Sequence, residues 1–279
     1  MDDQASPSEF LESVNRLTRD IRNAAITLSA REARWLVDSY YGLQEDRIRA
    51  DHQLRALDQN AEPHDVMNWL SGQRETLEKQ IARALDAYSG GHPVGLWMRS
   101  IHGIGPIIAA GLLAHIDIKM APTAGHIWRF AGLDPTVKWE PKTKRPWNAS
   151  LKRLCWIVGE SFVKVSGNEN ALYGQLYKER KAIEERKNLA GDFADQAAAA
   201  LVAKKWDKST DAFKHYTAGR LPPARIHLRA KRWAVKLFLS HLQAIWWEHA
   251  TGTKPPAPYA MTLAKHTHFI PPPNWPMAE

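Results

Sequence analysis

The stretch Ile101-His102-Gly103-Ile104-Gly105-Pro106, continued by the apolar run Ile107-Ile108-Ala109-Ala110-Gly111-Leu112-Leu113, decides the fold. Two glycines bracket one apolar residue, and a proline stands where a helix should begin. Glycine takes the positive φ that a tight turn demands, and proline suits the first helical position, where its missing N–H is not needed. The N–H groups left over at such a helix start form a ready anion site. The pattern is that of a helix-hairpin-helix, a device that holds nucleic-acid backbone without reading bases. The same spacing also serves an ordinary αα-hairpin with a glycine turn.

Working outward, apolar residues recur at helical spacing almost everywhere. Upstream, helices are predicted over 8–30 (Phe10, Val14, Leu17, Ile21, Ile26), 31–59 (Trp35, Leu36, Tyr40, Leu43, Ile48, Leu54) and 63–88 (Val66, Leu70, Leu77, Ile81, Leu85). From Leu70 the last of these runs close to a heptad, which predicts a helical arm with a partner helix. Ser89-Gly90-Gly91-His92-Pro93 stops it, residues 94–100 lead into the hairpin, and 106–116 form its second helix. Downstream, a helix over His126–Ala131 ends at Gly132-Leu133-Asp134-Pro135, and the basic segment TVKWEPKTKRPW (136–147) reads as an exposed loop. Further helices are expected from Asn148 to about Lys164, with Ser150 as its N-cap, over 171–189 (Tyr173, Leu176, Tyr177 and Ile183 inward), through Ala197–Ala200, and over 225–250. Residues 214–225 read as a basic linker, and the proline-rich tail from Thr253 as an extended surface segment. Alternating β patterns are almost absent, so the fold class is all-α.

The 279 residues are 44% hydrophobic, enough for a real core, and carry a net charge of +8. Such a surplus favours polyanionic partners. The single cysteine, Cys155, lies in an apolar context and reads as a buried core residue. One cysteine makes no internal disulfide, and no zinc-type CxxC exists. The opening MDDQASPSEF is acidic and polar, with no signal-peptide pattern, and no apolar run reaches membrane-spanning length. A cytosolic protein is expected. Twelve tryptophans are present, many beside a basic residue, as in Trp128-Arg129, Lys205-Trp206 and Arg232-Trp233. Packing roles are expected for about two-thirds of them; the others could stack on bases.

Basic residues gather in two places. One comprises Lys138, Lys142, Lys144, Arg145, Lys152 and Arg153; the other comprises Arg225, Arg229, Lys231, Arg232 and Lys236. Both are dense enough to contact phosphates, each contact steepening the salt dependence of binding. No catalytic constellation stands out. Asp117, Asp134 and Glu160 are isolated carboxylates, whereas two-metal chemistry needs several that converge. Ser150 and Ser161 lack a neighbouring base, and the histidines are scattered. No catalytic residue, metal ligand or cofactor is expected.

Three ordered segments, IHGIGPIIAAGLLAHI, IWRFAGLDP and NASLKRLCWIVGESF, resemble the back half of the bridge-RNA-guided insertion-sequence transposases, whose front half is a RuvC-like DEDD domain. The late ARIHLRAKRWAVKLFLSHL resembles that family's closing helix, and the predicted arm matches the coiled coil that precedes its hairpin. The resemblance spans roughly residues 62–250. It implies DNA handling by the hairpin and the basic segment, with structured RNA as a second partner. Two departures bear on cleavage. A RuvC-like domain should precede the arm, where only some sixty helical residues stand. The family's serine nucleophile, usually in a Ser-Gly pair, should follow GLDP, where this chain reads Thr136-Val137-Lys138-Trp139-Glu140, with Thr143 the next hydroxyl.

The expected organisation is an N-terminal helical segment (1–61), a helical arm (62–92), a transposase-like helix-hairpin-helix DNA-binding domain (93–252) and a proline-rich tail (253–279). Duplex backbone would be gripped by His102, Gly103, Ile104, Gly105, Lys138, Lys142, Lys144, Arg145, Trp147, Lys152, Arg153, Arg229 and Arg232. Homo-oligomerisation would use the N-terminal helices. Two alternatives are an active recombinase completed by a partner chain or guide RNA, and an RNA-binding or oligomeric scaffold protein.

Overall fold

A computed structural model describes residues 17–58, 65–140, 142–255 and 270–275. Among these the chain is entirely helical, as expected, with no strand. No helix among the described residues is long and apolar enough to cross a membrane. The chain divides into two compact units, one of residues 1–96 with 109–115 and one of residues 97–108 with 116–279.

The first unit holds α1 (Arg19–Ala24), α2 (Ala30–Asp58) and α3 (Asp65–Gly90). The expected helix over 8–30 lies partly outside the described residues. Its described part breaks before residue 30, because Ser29 and Glu32 form a capping box. The Glu32 carboxylate accepts from Ser29 N at 2.8 Å, and Glu32 N donates to Ser29 Oγ at 3.3 Å. Two backbone donors are satisfied reciprocally, which starts a new helix at Ala30. α2 and α3 pack side by side, joined by Arg47 Nε donating to the Glu78 carboxylate at 2.7 Å. The predicted α3 stripe is only half used. Leu85 is fully buried, whereas Val66, Leu70 and Leu77 are exposed.

α4 (Pro93–Arg99) and α5 (Pro106–His115) flank the hairpin turn. Gly95 can be nothing larger, since a Cβ there would lie 2.0 Å from the Ser89 carbonyl oxygen.

The second unit contains α6 (Ala124–Phe130), α7 (Ala149–Lys164), α8 (Leu172–Leu189), α9 (Ala194–Ala203), α10 (Asp211–Thr217) and α11 (Pro223–Thr251). α11 packs against α6, α7 and α8. Its Phe238 stacks on Trp97 (ring centroids 5.9 Å apart) and meets Phe162 and Tyr173 edge-on. Cys155 is buried as expected, and burial pushes its thiol up to about 12. A smaller cluster of buried residues comprises Phe193, Ala197, Tyr216, Leu221 and Ile226.

Two expectations are corrected here. Residues 214–225 are not simply a linker: Thr210 Oγ1 accepts from Phe213 N at 3.3 Å and opens α10, whose Tyr216 is buried. The cap of α7 is Asn148, whose Oδ1 accepts from Leu151 N at 2.9 Å, and Ser150 is exposed inside the first turn. The tryptophans divide as expected, with eight of the twelve buried or half-buried. Trp97 and Trp246 are buried, but Trp35, Trp69, Trp139 and Trp156 are exposed.

Candidate nucleic-acid interface

The hairpin turn is built as its glycines predict. Ile101 and Ile104 are buried, and Ile104 N donates to Ile101 O at 2.9 Å to close the turn. Gly103 has φ +96, and its carbonyl accepts from Ser161 Oγ on α7. A Cβ at Gly103 would press on Ser161 Oγ at 3.1 Å and Val165 Cγ2 at 3.3 Å, so glycine is required twice over. His102 and Gly105 are exposed, and a Cβ at Gly105 would meet nothing within 4 Å. Gly105 thus leaves open the approach to the start of α5. There Pro106 takes the first position, and the N–H groups of Ile107 and Ile108 have no intrahelical acceptor.

A second feature gathers at the start of α7. α6 ends in a Schellman motif, with Leu133 N donating to Trp128 O at 2.8 Å and Gly132 N to Arg129 O at 3.1 Å. Gly132 has φ +64, and the Trp147 indole seats directly on it, with Cγ 2.7 Å from where a Cβ would stand. The next turn is tied by Asp134, whose Oδ1 accepts from Thr136 N at 2.9 Å and Thr136 Oγ1 at 2.7 Å. Those two bonds hold its carboxyl below the usual range. The Thr143 hydroxyl donates to Glu140 O at 2.7 Å. Both hydroxyls after the GLDP turn therefore serve local turns.

Cations lie over the indoles. Lys152 Nζ is 4.2 Å from the centre of the Trp147 ring, Arg145 is 5.0 Å from Trp139, and Lys236 Nζ is 3.9 Å from Trp128. Trp139 and Trp147 meet edge-on at 6.4 Å. Phe130, Lys144, Arg145, Pro146, Trp147 and Asn148 line an open groove of about 430 Å³. Burial, then the charges of Arg232 and Arg145, push the Lys152 ammonium down. Lys236 is pushed down mainly by burial and also by Arg232, against the opposing pull of Asp134. The two basic clusters of the sequence therefore meet at Arg232: α11 brings it close enough to act on Lys152 at the start of α7 and on Lys236, which lies over Trp128 of α6.

Not every sequence candidate joins this patch. Lys138, Lys142, Lys144 and Arg153 are exposed around it. Arg229 is drawn to α8, where Nε donates to Glu184 at 2.8 Å and its guanidinium lies 4.4 Å from the Phe193 ring centre. Lys231 is buried and paired with Glu160, so Glu160 is not the isolated carboxylate its sequence context suggests. His102–Gly105 lie elsewhere too. Ser161 follows Lys152 by nine positions, about two and a half turns, so the turn and the patch occupy opposite flanks of α7. Sequence reasoning missed Trp139 and Phe130 beside the patch, and named Lys236 in the second basic cluster without including it in the expected grip; the alternation of basic and aromatic residues was the signal that could have found them. Among the described residues no group of His, Cys, Asp and Glu could hold a metal ion.

Residues 97–150 match the model of the Transposase IS116/IS110/IS902 family. That span runs from the stem of the hairpin through the Gly132 turn and the basic segment into the first turn of α7. The match links this part of the chain to a transposase family and supports a transposition-related role. No curated protein and no solved structure matches the chain.

Proposed function

We propose that this chain binds the backbone of duplex DNA and takes part in, or regulates, transposition without cleaving strands itself. The observation that carries the reading is the gathering of Arg145, Lys152 and Lys236 around Arg232, where burial first and like charges second depress the two lysines. Such a cluster gains most from a polyanion, because phosphates relieve the repulsion and release counterions. The turn at His102–Gly105, exposed at His102 and Gly105 while Ile104 is buried beneath, would supply a second, independent grip through the backbone N–H groups at the start of α5. Lys138, Lys142, Lys144 and Arg153 would steer and flank. Binding without cleavage is supported by Thr136 and Thr143, whose hydroxyls are engaged in turns where the resembling family carries its nucleophile.

The test is a mobility shift of a random duplex of about 30 base pairs across a salt series. Four phosphate contacts at the patch give a slope of log affinity against log salt near about −4. Arg232→Glu and Lys152→Glu should each flatten that slope by about one. Gly105→Asp should weaken binding by charge repulsion while leaving the fold intact, since Asp is a favoured residue just before a helix. A salt-insensitive or absent shift overturns the reading. Structured RNA is included as competitor, and its displacing duplex at equal mass would favour the RNA-binding alternative.

A further inference from the structure

We propose that residues 270–275 act as a strap that positions the hairpin turn for backbone contact, an inference that rests on the binding reading above. The strap grips the stem of the hairpin. Trp97 Nε1 donates to Pro273 O at 2.8 Å, and Asn274 Nδ2 donates to Ser100 O at 3.3 Å and to Ser100 Oγ at 3.1 Å. Trp97 and Ser100 are the residues from which the chain enters Ile101-His102-Gly103.

The strap is fastened at both ends to α11. His241 Nε2 lies 2.8 Å from Ile270 O, and Trp275 Nε1 donates to the Glu248 carboxylate at 3.4 Å. A carbonyl beside Nε2 requires the proton there, so Nδ1 accepts from the Tyr173 hydroxyl at 2.7 Å. His241 is thus locked in one tautomer and aimed at the strap. Pro271, Pro272 and Pro273 restrict φ and lower the entropy lost when the segment is ordered. α4 has only seven residues, too few to hold its own shape without tertiary support. Ser161 fixes the tip of the turn and the strap fixes its stem. A turn held from both sides loses less freedom on meeting a phosphate, which raises affinity without adding a contact.

The experiment uses the full chain and two variants. Asn274→Gly suits the φ of +56 at that position and deletes only the side-chain amide. Trp97→Phe deletes the indole donor and keeps a ring on Phe238. Each should weaken duplex binding about two- to fivefold with an unchanged salt slope, because no phosphate contact is lost. Hydrogen exchange should accelerate at residues 100–105 while the melting temperature of Asn274→Gly stays put. Combined with Gly105→Asp, the losses should be less than additive, since both act on the same grip. Full additivity, or unchanged affinity and exchange in Asn274→Gly, overturns the strap. Should Gly105→Asp itself leave affinity unchanged, the hairpin grip fails instead. Exchange at 100–105 then still decides: acceleration supports the strap as an ordering device, and no change removes it. Trp97→Phe is set aside if its melting temperature falls, and Asn274→Gly carries the test alone.

Discussion

Gly132 is the residue on which the basic patch is assembled. Its φ of +64 and the indole of Trp147 seated over it leave no space for a methyl group. Gly132→Ala should cost about 1–2 kcal/mol through the left-handed backbone alone, and more as Trp147 is displaced. Because Trp147 carries Lys152 on its ring, duplex affinity should fall together with stability. A chemical-denaturation curve and a mobility shift on the same sample check both. Asn148 offers a cleaner contrast. Asn148→Ala removes the cap of α7 and should cost about 1 kcal/mol, while Ser150→Ala, two residues on within the same first turn, should change stability by less than about 0.5 kcal/mol. Equal effects would mean that the cap geometry is not what starts α7.

At the level of elements, the turn-forming residues spoke most clearly. Gly103, Gly105 and Pro106 announced the hairpin, Gly132 and Asp134 the end of α6, and Gly90-Gly91 the end of α3. Each does so through local backbone chemistry that the sequence carries openly. What stayed hidden depends on long-range packing. Nothing local to Arg229 or Lys231 tells that α8 and α7 present Glu184 and Glu160 to them, so both look like surface cations in the sequence. Likewise Arg232 and Lys152 are far apart in the chain, and only the packing of α11 on α7 makes them neighbours. Helix α10 was missed because its seven residues, rich in polar and basic side chains, bury little except Tyr216. The α7–α11 contact carries its own prediction. Lys231 threads past Gly159, where a Cβ would lie 2.7 Å from Lys231 Cγ, and its ammonium is buried against Glu160. Removing one partner strands a buried charge: Glu160→Ala should destabilise by about 2–3 kcal/mol, moderated by the partial exposure of the carboxylate. Lys231→Met combined with Glu160→Ala should recover most of that loss. A double-mutant cycle in urea measures both.

For the molecule as a whole, acid is the revealing perturbation. Burial pushes His241 down from 6.5 to about 4, against the pull of its bond to Ile270 O. Between those values the unfolded chain binds a proton that the folded chain refuses. Its contribution is therefore complete above pH 6.5 and disappears as the pH falls towards 4, amounting to about 3 kcal/mol. His115, buried in the first unit with no partner for Nδ1 among the described residues, shifts in the same direction through desolvation. Melting temperature should fall steadily from pH 7 to pH 4, and His241→Gln should flatten that profile. A profile unchanged by the substitution would assign the acid sensitivity elsewhere.

Cys155 adds a property of another kind. It is the chain's single thiol, buried on α7 in the second unit, with its ionisation driven up to about 12. A thiolate is what alkylating and disulfide reagents attack, so the folded protein should ignore them. Every labelled molecule must first have let its core open. The rate at which an aromatic disulfide is consumed therefore becomes a stopwatch for that opening, with one tick per chain and no engineered probe.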